Sequence, residues 1–558
     1  MQNMNNDSDH VAAIDLGSNS FHMIVARLDE AGTLSVIDRL REPVRLGGGL
    51  TKKGKLSKES RERALECLGR FAERISGLPR GSVRIVGTNT LRVAKNAGKF
   101  VRKAEKILGH PIEIIAGREE ARLIYLGVAH GRQAREGNRL VVDIGGGSTE
   151  LIIGEGLKTR RRESLQAGCV TATNSRFSDG SITAKRMRGA IMDAELAIYP
   201  VAHAFTADRW SEAIGCSGTI KSIRNIVQAE GWSEIGITLE SLYRLRDALI
   251  AAGHCERLEL QTLSPDRRPV IAGGLAVLIA VFETLKIELM RVSDLSLREG
   301  LLYDLVGRMR DVDVRDASVA SAAKRWSIDT EQADKVTETV LSLFEQVRES
   351  WKFDRRNRNI LRWSAQLHEI GLQVSHTQYH KHGGYILTHA DLAGFSRTEQ
   401  ALLSRLVLCH RRKFRPEIFE ELAAQTIKPG MRMCVLLRLA VLLHRGRTEE
   451  DLPDITIKVK RKSISLKFPD GWLDEHTLTY EDLKEEKKNQ MTVVGELENE
   501  KGVIVKELSE FKSSQKELTG KLDNLKNTIG EEKQTEERLK EKINSINVRL
   551  SEDLEVKL

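Results

Sequence analysis

The chain has 558 residues, of which 40% are hydrophobic and 30% are charged, and its formal net charge is +9. This length exceeds what one hydrophobic core supports and predicts three or four domains. The six cysteines are scattered without a CxxC pair, which argues against a disulfide framework or a zinc ribbon and favours a reducing cytoplasm. The N-terminus lacks the apolar stretch of a signal peptide, and the longest apolar run, 269–282, is too short to cross a bilayer. We therefore expect a cytoplasmic protein without a membrane partner.

The positive charge lies in the body of the chain, because acidic residues slightly outnumber basic ones after Leu483. A basic body favours a polyanionic ligand, namely nucleic acid, an anionic membrane or a phosphate polymer, although mild basicity also keeps a protein soluble. We expect no specific nucleic-acid partner.

The first part of the chain alternates strand and helix patterns, which predicts an α/β lobe over 10–130. Apolar residues with helical spacing predict a helix over 57–75. Short β-branched runs predict strands at 11–14, 21–27, 83–86 and 112–115.

Two glycine-rich turns each follow an apolar strand and open with an aspartate. They read Asp15-Leu16-Gly17-Ser18-Asn19-Ser20 and Asp143-Ile144-Gly145-Gly146-Gly147-Ser148-Thr149-Glu150. The glycines let the backbone approach an oxyanion closely, and the amides and hydroxyls donate to it. Because the pattern recurs in the same register, it predicts two similar lobes facing one cleft rather than two ordinary hairpin turns.

The second turn begins a second lobe, predicted over 131–308, with a buried helix at 274–285 and a strand at 289–292. A third small turn in this lobe contains Ser217, Gly218 and Thr219. It either closes over the far end of a substrate or is a plain strand-to-helix turn, and the residues leave both interpretations open.

The acidic residues of the two turns suit a metal ion that bridges to phosphate. Asp15 and Asp143 can hold a divalent cation from opposite sides, and Glu150 can complete its shell or orient water. Oxygen ligands without sulfur favour Mg²⁺, with another divalent cation as the alternative. Arg92 follows Thr88 and Asn89 at a predicted helix start and suits a bidentate grip on phosphate.

Glu120 is the candidate general base, since it follows a predicted strand and can reach the cleft from the start of a helix. Glu119 is its rival, and two glutamates in the first turn of a helix are also favoured simply by the helix dipole. No GxSxG, HExxH or Walker-type loop occurs, which argues against serine hydrolases, zinc proteases and P-loop enzymes.

From Asp311 onward the strand patterns give way to helical ones, which predicts a helical domain over 309–480 with a short β patch at 455–468. The remaining segment, 485–558, repeats apolar residues every seven positions and predicts a two-stranded coiled coil. The alternative is a lone charged helix or a disordered tail. Four glycines and the glutamates at core positions 532 and 536 favour that alternative. The apolar core positions are Leu497, Ile504, Leu508, Phe511, Leu518, Leu522, Leu525, Ile529, Leu539, Ile543, Ile546 and Leu550.

Six segments together resemble the exopolyphosphatase/guanosine pentaphosphate phosphohydrolase (Ppx/GppA) family. They are AIDLGSNSFHM (13–23), GTNTLR (87–92), EIIAGREEARLIY (113–125), VVDIGGGSTEL (141–151), GCSGTIK (215–221) and SDLSLREGLLYDL (293–305). The resemblance runs from about residue 10 to 480 and implies the two-lobed, actin-like (ribonuclease-H-like) ATPase fold. It also implies Mg²⁺-dependent removal of terminal phosphate from polyphosphate or from pppGpp.

Carried over by residue, the resemblance implies that Glu120 is the catalytic glutamate and that Arg92 grips phosphate. The phosphate and metal turns fall on 15–20 and 143–150. The helical region resembles the degenerate HD-like domain of longer members, with His368-Glu369 in the place of a His-Asp pair. No histidine occurs between Asp311 and Leu367, which makes a metal site there doubtful. The alternative is a basic surface that follows a polyphosphate chain; it would combine His376, His380, His382, His389, His410, His444, Arg411, Arg412, Lys413 and Arg415.

The sequence thus favours a processive exopolyphosphatase, mainly because the body is basic. A pppGpp 5′-phosphohydrolase is the second hypothesis, and a phosphate-polymer sensor or scaffold with a self-associating tail is the third. A sugar kinase on the same fold is the fourth hypothesis, and it is disfavoured because this sequence has no recognisable sugar-binding motif. A homodimer is expected. The tail departs from the family after 472–483, so the sequence leaves the origin and the partner of the tail open.

Overall fold

The computed structural model describes residues 10–29, 34–51, 53–131, 137–310, 313–448, 451–460 and 463–555. Within these ranges, only the backbone is described for residue 80, 489–513 and 548–555. The chain forms two compact units. One runs to Arg411 and resumes over Glu417–Lys467, and the other consists of Arg412–Pro416 and the chain from Phe468.

The first lobe is built on a mixed sheet in the order β3-β2-β1-β4-β5. β1, β2 and β3 are antiparallel neighbours, whereas β4 and β5 run parallel to β1. The strands are β1 (His10–Leu16), β2 (Phe21–Leu28), β3 (Leu34–Glu42), β4 (Val83–Gly87) and β5 (Ile112–Ile114). The helices are α1 (Lys58–Ile75), α2 (Asn89–Val93), α3 (Ala97–Leu108) and α4 (Gly117–His130).

The second lobe repeats this arrangement, in the order β10-β11-β9-β6-β7-β8. β6, β7 and β8 are antiparallel neighbours, and β9 and β11 continue the sheet in parallel. The strands are β6 (Arg139–Ile144), β7 (Thr149–Glu155), β8 (Lys158–Leu165), β9 (Glu212–Cys216), β10 (Ile237–Thr238) and β11 (Leu289–Val292). The helices are α5 (Cys169–Arg176), α6 (Ala184–Ala202), α7 (Ser217–Ala229), α8 (Leu239–Ala252) and α9 (Ile271–Leu285).

Helix α4 and helix α10 (Leu297–Met309) pack closely and share one apolar core with the inner faces of both sheets. A methyl group added at Gly300 would lie 1.8 Å from the carbonyl oxygen of Leu123, so the approach of the two helices requires glycine there. The repeated mixed sheets confirm the two-lobed, actin-like prediction. The boundaries chosen for the lobes, 10–130 and 131–308, stay predictions.

Helix α9 is almost entirely buried in the core of the second lobe. Among the described residues, the stretch 268–285, which contains α9, is long and apolar enough to span a membrane by length and composition alone. A buried core helix meets the same criteria, so this segment is weak evidence for a membrane.

A helical domain follows the lobes, as predicted. It contains α11 (Val314–Arg325), α12 (Thr330–Trp351), α13 (Arg355–Gln366), α14 (Tyr379–His389), α15 (Arg397–Cys409) and α16 (Ala424–Leu443). The antiparallel strands β12 (Thr456–Val459) and β13 (Ile464–Lys467) lie within the predicted β patch. The limits 309–480 stay predictions.

The other compact unit contains α17 (Trp472–Glu475) and the single helix α18 (Thr477–Glu555), which is 79 residues long. Of the predicted core positions, Leu497, Ile504, Leu508, Phe511 and Leu550 lie where side chains are not described, and 556–558 lie outside the described residues. The described core positions expose between 48% and 67% of their surface; they are Leu518, Leu522, Leu525, Ile529, Leu539, Ile543 and Ile546. The helix is therefore observed, and its pairing into a coiled coil stays a prediction.

Candidate active site

The first glycine-rich turn, 17–20, joins β1 to β2 and is held from outside the hairpin. The backbone N–H of Gly47 donates to the carbonyl of Ser18 at 2.8 Å, and that of Arg45 donates to the carbonyl of Asn19 at 2.7 Å. The hydroxyl of Thr90 donates to the hydroxyl of Ser18 at 2.7 Å. These bonds fix the turn, which allows its remaining donors to face a ligand.

The second turn, 145–148, joins β6 to β7 and is closed by a hydrogen bond from the N–H of Gly145 to the carbonyl of Ser148, at 2.9 Å. The start of α5 also holds it. The N–H groups of Cys169 and Val170 donate to the carbonyls of Gly145 and Gly146 at 3.0 and 2.8 Å.

The two turns face each other across one cleft. A methyl group added at Gly146 would lie 2.9 Å from Cβ of Ser18, and one added at Gly147 would lie 2.4 Å from Oδ1 of Asn89. Gly146 therefore favours the close approach of the lobes, and a larger residue at 147 would displace the amide group of Asn89. The cleft encloses a cavity of about 440 Å³. It is lined by Asp15, Gly17, Ser18, Asn19, Ser20, Glu120, Asp143, Gly145, Gly146, Gly147, Ser148, Ser217, Gly218 and Thr219.

The aspartates of the two turns have different surroundings. Asp143 accepts hydrogen bonds from the hydroxyl of Ser296 at 2.8 Å and from the thiol of Cys216 at 3.2 Å. Oδ1 of Asp15 is buried without a hydrogen-bond partner. Across the hairpins, Asp143 is paired in register with Glu150, whereas Asp15 is paired with His22.

Burial keeps these carboxylates from ionising easily. It raises the pKa of Asp15 to about 8, with further repulsion from Glu120 and Asp143. It also raises the pKa of Asp143, and it raises that of Glu150 well above its usual range with help from Glu120. Such a group of buried acids gains stability from a cation.

The acids fit an ion that keeps much of its water. Within the described residues, no three His, Cys, Asp or Glu side chains are close enough to form a complete metal site. Mg²⁺ usually binds through one or two carboxylates, waters and substrate phosphates. The unpartnered oxygen of Asp15 and the carboxylate of Asp143 fit that mode.

Glu120 is buried at the start of α4 and accepts a hydrogen bond from Nη1 of Arg92 at 2.5 Å. Arg92 also donates to the carbonyl of Ile115 at 3.1 Å. Burial raises the pKa of Glu120, and the charge of Arg92 opposes that shift. Arg92 does not line the cavity. The predicted contact of Arg92 with phosphate stays a prediction. In the structure, Arg92 instead orients the carboxylate of Glu120 through their hydrogen bond.

Thr149 and Glu150 lie behind the cavity rather than on its wall. The hydroxyl of Thr149 donates to the carbonyl of Ala167, and Oε1 of Glu150 accepts a hydrogen bond from Ser164 at 2.8 Å. Both residues are fully buried. The predicted role of Glu150 in the metal shell therefore stays a prediction.

The third turn lies at the N-terminus of α7, where free backbone N–H groups favour anions. Ser217 has a φ of +77°, which is unusual for a residue other than glycine, and its hydroxyl donates to the carbonyl of Ile144 at 3.0 Å. Gly218 and Thr219 line the cavity beside it. The turn therefore lies in the cleft, as the first of its two interpretations requires.

Sequence reasoning missed a basic group on the cleft wall, which consists of Arg41, Lys221, Arg267 and Arg298. Arg298 donates to Nδ1 of His22 at 3.1 Å. Burial, followed by the charge of Arg298, holds the pKa of His22 well below its usual range, so this imidazole is neutral. Arg298 and Lys221 stand in segments already singled out, but Arg41 and Arg267 lie in no recognisable motif.

The HD-like histidines come together only in part. The rings of His368 and His410 are 5.5 Å apart, and those of His380 and His410 are 6.4 Å apart. Burial lowers the pKa of both His368 and His410, and each shares its Nδ1 with a backbone carbonyl. They form no three-ligand metal site within the described residues.

Two family models match the chain. The Ppx/GppA phosphatase family matches residues 24–309, and Ppx/GppA phosphatase, domain III, matches residues 314–487. The chain belongs to the Ppx/GppA phosphatase family. Membership confirms the prediction of a hydrolase that acts on phosphoanhydride bonds.

Two Aeromonas proteins are similar to the chain along most of their length. The guanosine-5′-triphosphate,3′-diphosphate pyrophosphatase of Aeromonas hydrophila is 41% identical over 480 residues, which cover 86% of this chain and 96% of that protein. The enzyme of the same name from Aeromonas salmonicida gives the same identity and coverage.

Solved structures of this family are also similar to the chain. An exopolyphosphatase from Cytophaga hutchinsonii is 25% identical with a TM-score of 0.48, covering 54% of this chain and 98% of its own. The Aquifex aeolicus PPX-GPPA enzyme is 27% identical with a TM-score of 0.44, covering 53% and 98%.

Proposed function

We propose that this chain hydrolyses the terminal 5′ phosphate of guanosine 5′-triphosphate 3′-diphosphate (pppGpp). The similarity to the Aeromonas enzymes over almost their whole length carries this proposal. It reverses the order expected from the sequence, where basic charge placed polyphosphate first. Polyphosphate remains the second candidate, because the basic group on the cleft wall suits any extended polyanion.

In this proposal, Asp15 and Asp143 would hold Mg²⁺, and the buried acid Glu150 would support the site by its charge. When bound, the ion would neutralise charge on the phosphate chain. The protein supplies the remaining donors. Nδ2 of Asn19 and Oγ of Ser20 are buried without partners, so they are available to phosphate oxygens.

Glu120 takes a proton from a water molecule while Arg92 holds its carboxylate in place. The water oxygen bonds to the terminal phosphorus, and the bond from that phosphorus to the bridging oxygen breaks. Donors in the two turns stabilise the charge on the transferred group. Orthophosphate and ppGpp are the products, and Glu120 afterwards returns its proton to solvent.

The experiment compares phosphate release from pppGpp and from long-chain polyphosphate at equal concentrations of terminal phosphate, with Mg²⁺ and with a chelator. We expect a larger kcat/KM for pppGpp and no turnover in the chelator. Glu120→Gln should lower kcat by about 10²- to 10⁴-fold with KM little changed. A preference for polyphosphate would exchange the two candidates, and wild-type turnover by Glu120→Gln would remove the assigned base. A protein that binds either compound without turnover would be the sensor that the sequence also allowed.

We also propose that α18 pairs with a second copy of itself, because its exposed apolar side chains follow a heptad pattern. We propose in addition that the helical domain is HD-like, that the protein is a homodimer and that it is cytoplasmic. Deleting the chain after Leu483 should reduce the number of copies per assembly in sedimentation experiments and leave turnover intact. An unchanged oligomeric state would refute the role of the tail.

A further inference from the structure

Glu119 precedes the candidate base on α4 but serves a different contact. Its carboxylate accepts hydrogen bonds from Nε and Nη2 of Arg122 at 2.9 and 2.8 Å. It also accepts one from the backbone N–H of Gly394, at 3.0 Å. Successive helical residues point about 100° apart. One turn of α4 thus presents Glu120 to the cleft and Glu119 to the helical domain.

Gly394 lies between α14 and α15, and both its backbone N–H and its backbone carbonyl are hydrogen-bonded. Its N–H donates to Glu119, and its carbonyl accepts from Nη2 of Arg308 at 2.8 Å. Its φ is +85°, and an added methyl group would lie 2.5 Å from Cγ1 of Val314. Only glycine fits these bonds without displacing the segment.

The first turn of α4 makes a second bond to the same segment. Arg118 pairs with Asp391, three residues before Gly394, and also with Glu163 of β8 at 2.7 Å. Two of three consecutive residues in this turn therefore hold the helical domain, and the third is the candidate base.

A buried ionic network fixes the arrangement. Asp304 of α10 accepts hydrogen bonds from Arg122, from Arg84 at 2.5 Å and from Nε of Arg308 at 2.8 Å. Burial disfavours its charge, but these arginines together hold the pKa of Asp304 below its usual range. Asp304 therefore stays ionised at physiological pH and anchors the arginines around it.

We propose that Glu119 and Gly394 form a latch through which the helical domain sets the position of Glu120. Glu119 touches no reacting atom, so it is a positioning residue that acts through α4. The inference rests on Glu120 as the base of the proposed function. A small displacement of such a group, on the order of 1 Å, lowers a rate by up to about 10²-fold.

The first test is Glu119→Asp, which keeps the charge and shortens its reach to Gly394. The matched control is Glu113→Asp, which shortens a carboxylate that joins the network through Arg84, 3.3 Å away. For Glu119→Asp we expect a fall in kcat of about 10- to 100-fold, KM within about twofold and faster amide hydrogen exchange in 117–120 and 391–394. The control should change none of these by more than about twofold.

The second test alters the other side of the latch and leaves every charge in place. Gly394→Ala should reproduce the fall in kcat, and the double variant Glu119→Asp/Gly394→Ala should fall little further, because both changes break one contact. Full additivity would refute the latch. The latch would also be refuted if Gly394→Ala shows faster amide exchange in 391–394 but keeps the wild-type kcat. If Glu119→Asp does not fold, Gly394→Ala decides with the same measurements.

Failure of the proposed function gives a different result. If Glu120→Gln stays active, Glu120 is not the base, and kcat no longer reports its position. Amide exchange in 117–120 then decides the latch alone: faster exchange in Gly394→Ala supports it, and unchanged exchange overturns it.

Discussion

The two glycine-rich hairpins have almost the same backbone but different chemistry. Each has a four-residue turn, and a methyl group added at its first glycine, Gly17 or Gly145, would lie 2.8 or 3.2 Å from the carbonyl oxygen of the last turn residue. Opposite its aspartate, the second hairpin has the acid Glu150, whereas the first has the neutral His22.

The hairpins also differ in how firmly their aspartates are held. Asp143 accepts two hydrogen bonds, while Oδ1 of Asp15 has no partner. The second lobe therefore places two buried acids on a fixed frame, and the first offers a single open carboxylate oxygen. From this we expect the second lobe to set the affinity for the cation and the first to orient it. The two hairpins thus share a backbone fold but differ in the electrostatics around their aspartates.

The largest expected effect comes from removing each aspartate's charge in turn. Asp143→Asn should lower kcat/KM by about 10³-fold or more, since it removes charge stabilisation at the reacting group. Asp15→Asn should cost about as much in kcat but raise the Mg²⁺ requirement less. Mg²⁺ titrations of turnover separate the two. Equal shifts in Mg²⁺ requirement would mean that the lobes share the cation evenly.

A smaller effect is expected at the positions opposite the aspartates. Glu150→Gln should lower kcat by about 10²-fold and raise the Mg²⁺ concentration for half-maximal rate, because it removes a buried acid that a bound cation would help to ionise. His22→Gln should leave that concentration unchanged, because its imidazole is neutral. A comparable change in both variants would contradict the asymmetry.

The asymmetry also predicts how pH changes stability. The pKa of Asp15 is raised from 3.8 to about 8. Between these values Asp15 is protonated in the folded protein but ionised in the unfolded chain, so its contribution to stability falls as pH rises from about 4 to 8. Mg²⁺ binds the ionised form, so it should raise Tm more at pH 8 than at pH 5. Asp15→Asn should flatten the metal-free pH dependence more than Asp143→Asn, and calorimetry tests this.

The smallest effects are expected at the hydroxyls that anchor the turns. Thr90→Val removes the bond to Ser18 in the first turn, and Thr149→Val removes the bond to Ala167 in the second. Each should lower the free energy of unfolding by about 1 kcal/mol, measured by urea denaturation. Thr90→Val should also raise KM slightly, because Ser18 lines the cavity. An unchanged KM would mean that the hydroxyl of Ser18 does not help to bind substrate.

Not every strand could be read from the sequence. The inner strands β1, β2, β4 and β6 are buried apolar runs, so their sequence already marks them. The edge strands β3 and β8 were missed, because both are largely exposed and rich in charge and therefore lack an apolar pattern. Their strand form depends on pairing with β2 and β7.

By itself, the sequence determined the two glycine-rich turns, the two lobes and the glutamate at the start of α4, because each is a local pattern of a few adjacent residues. Only the tertiary structure decided which groups meet. It joined Arg92 to Glu120, gathered Arg41 and Arg267 on the cleft wall, and bonded Glu119 to Gly394, 275 residues away. Those contacts depend on packing between distant segments, and no local spacing encodes them.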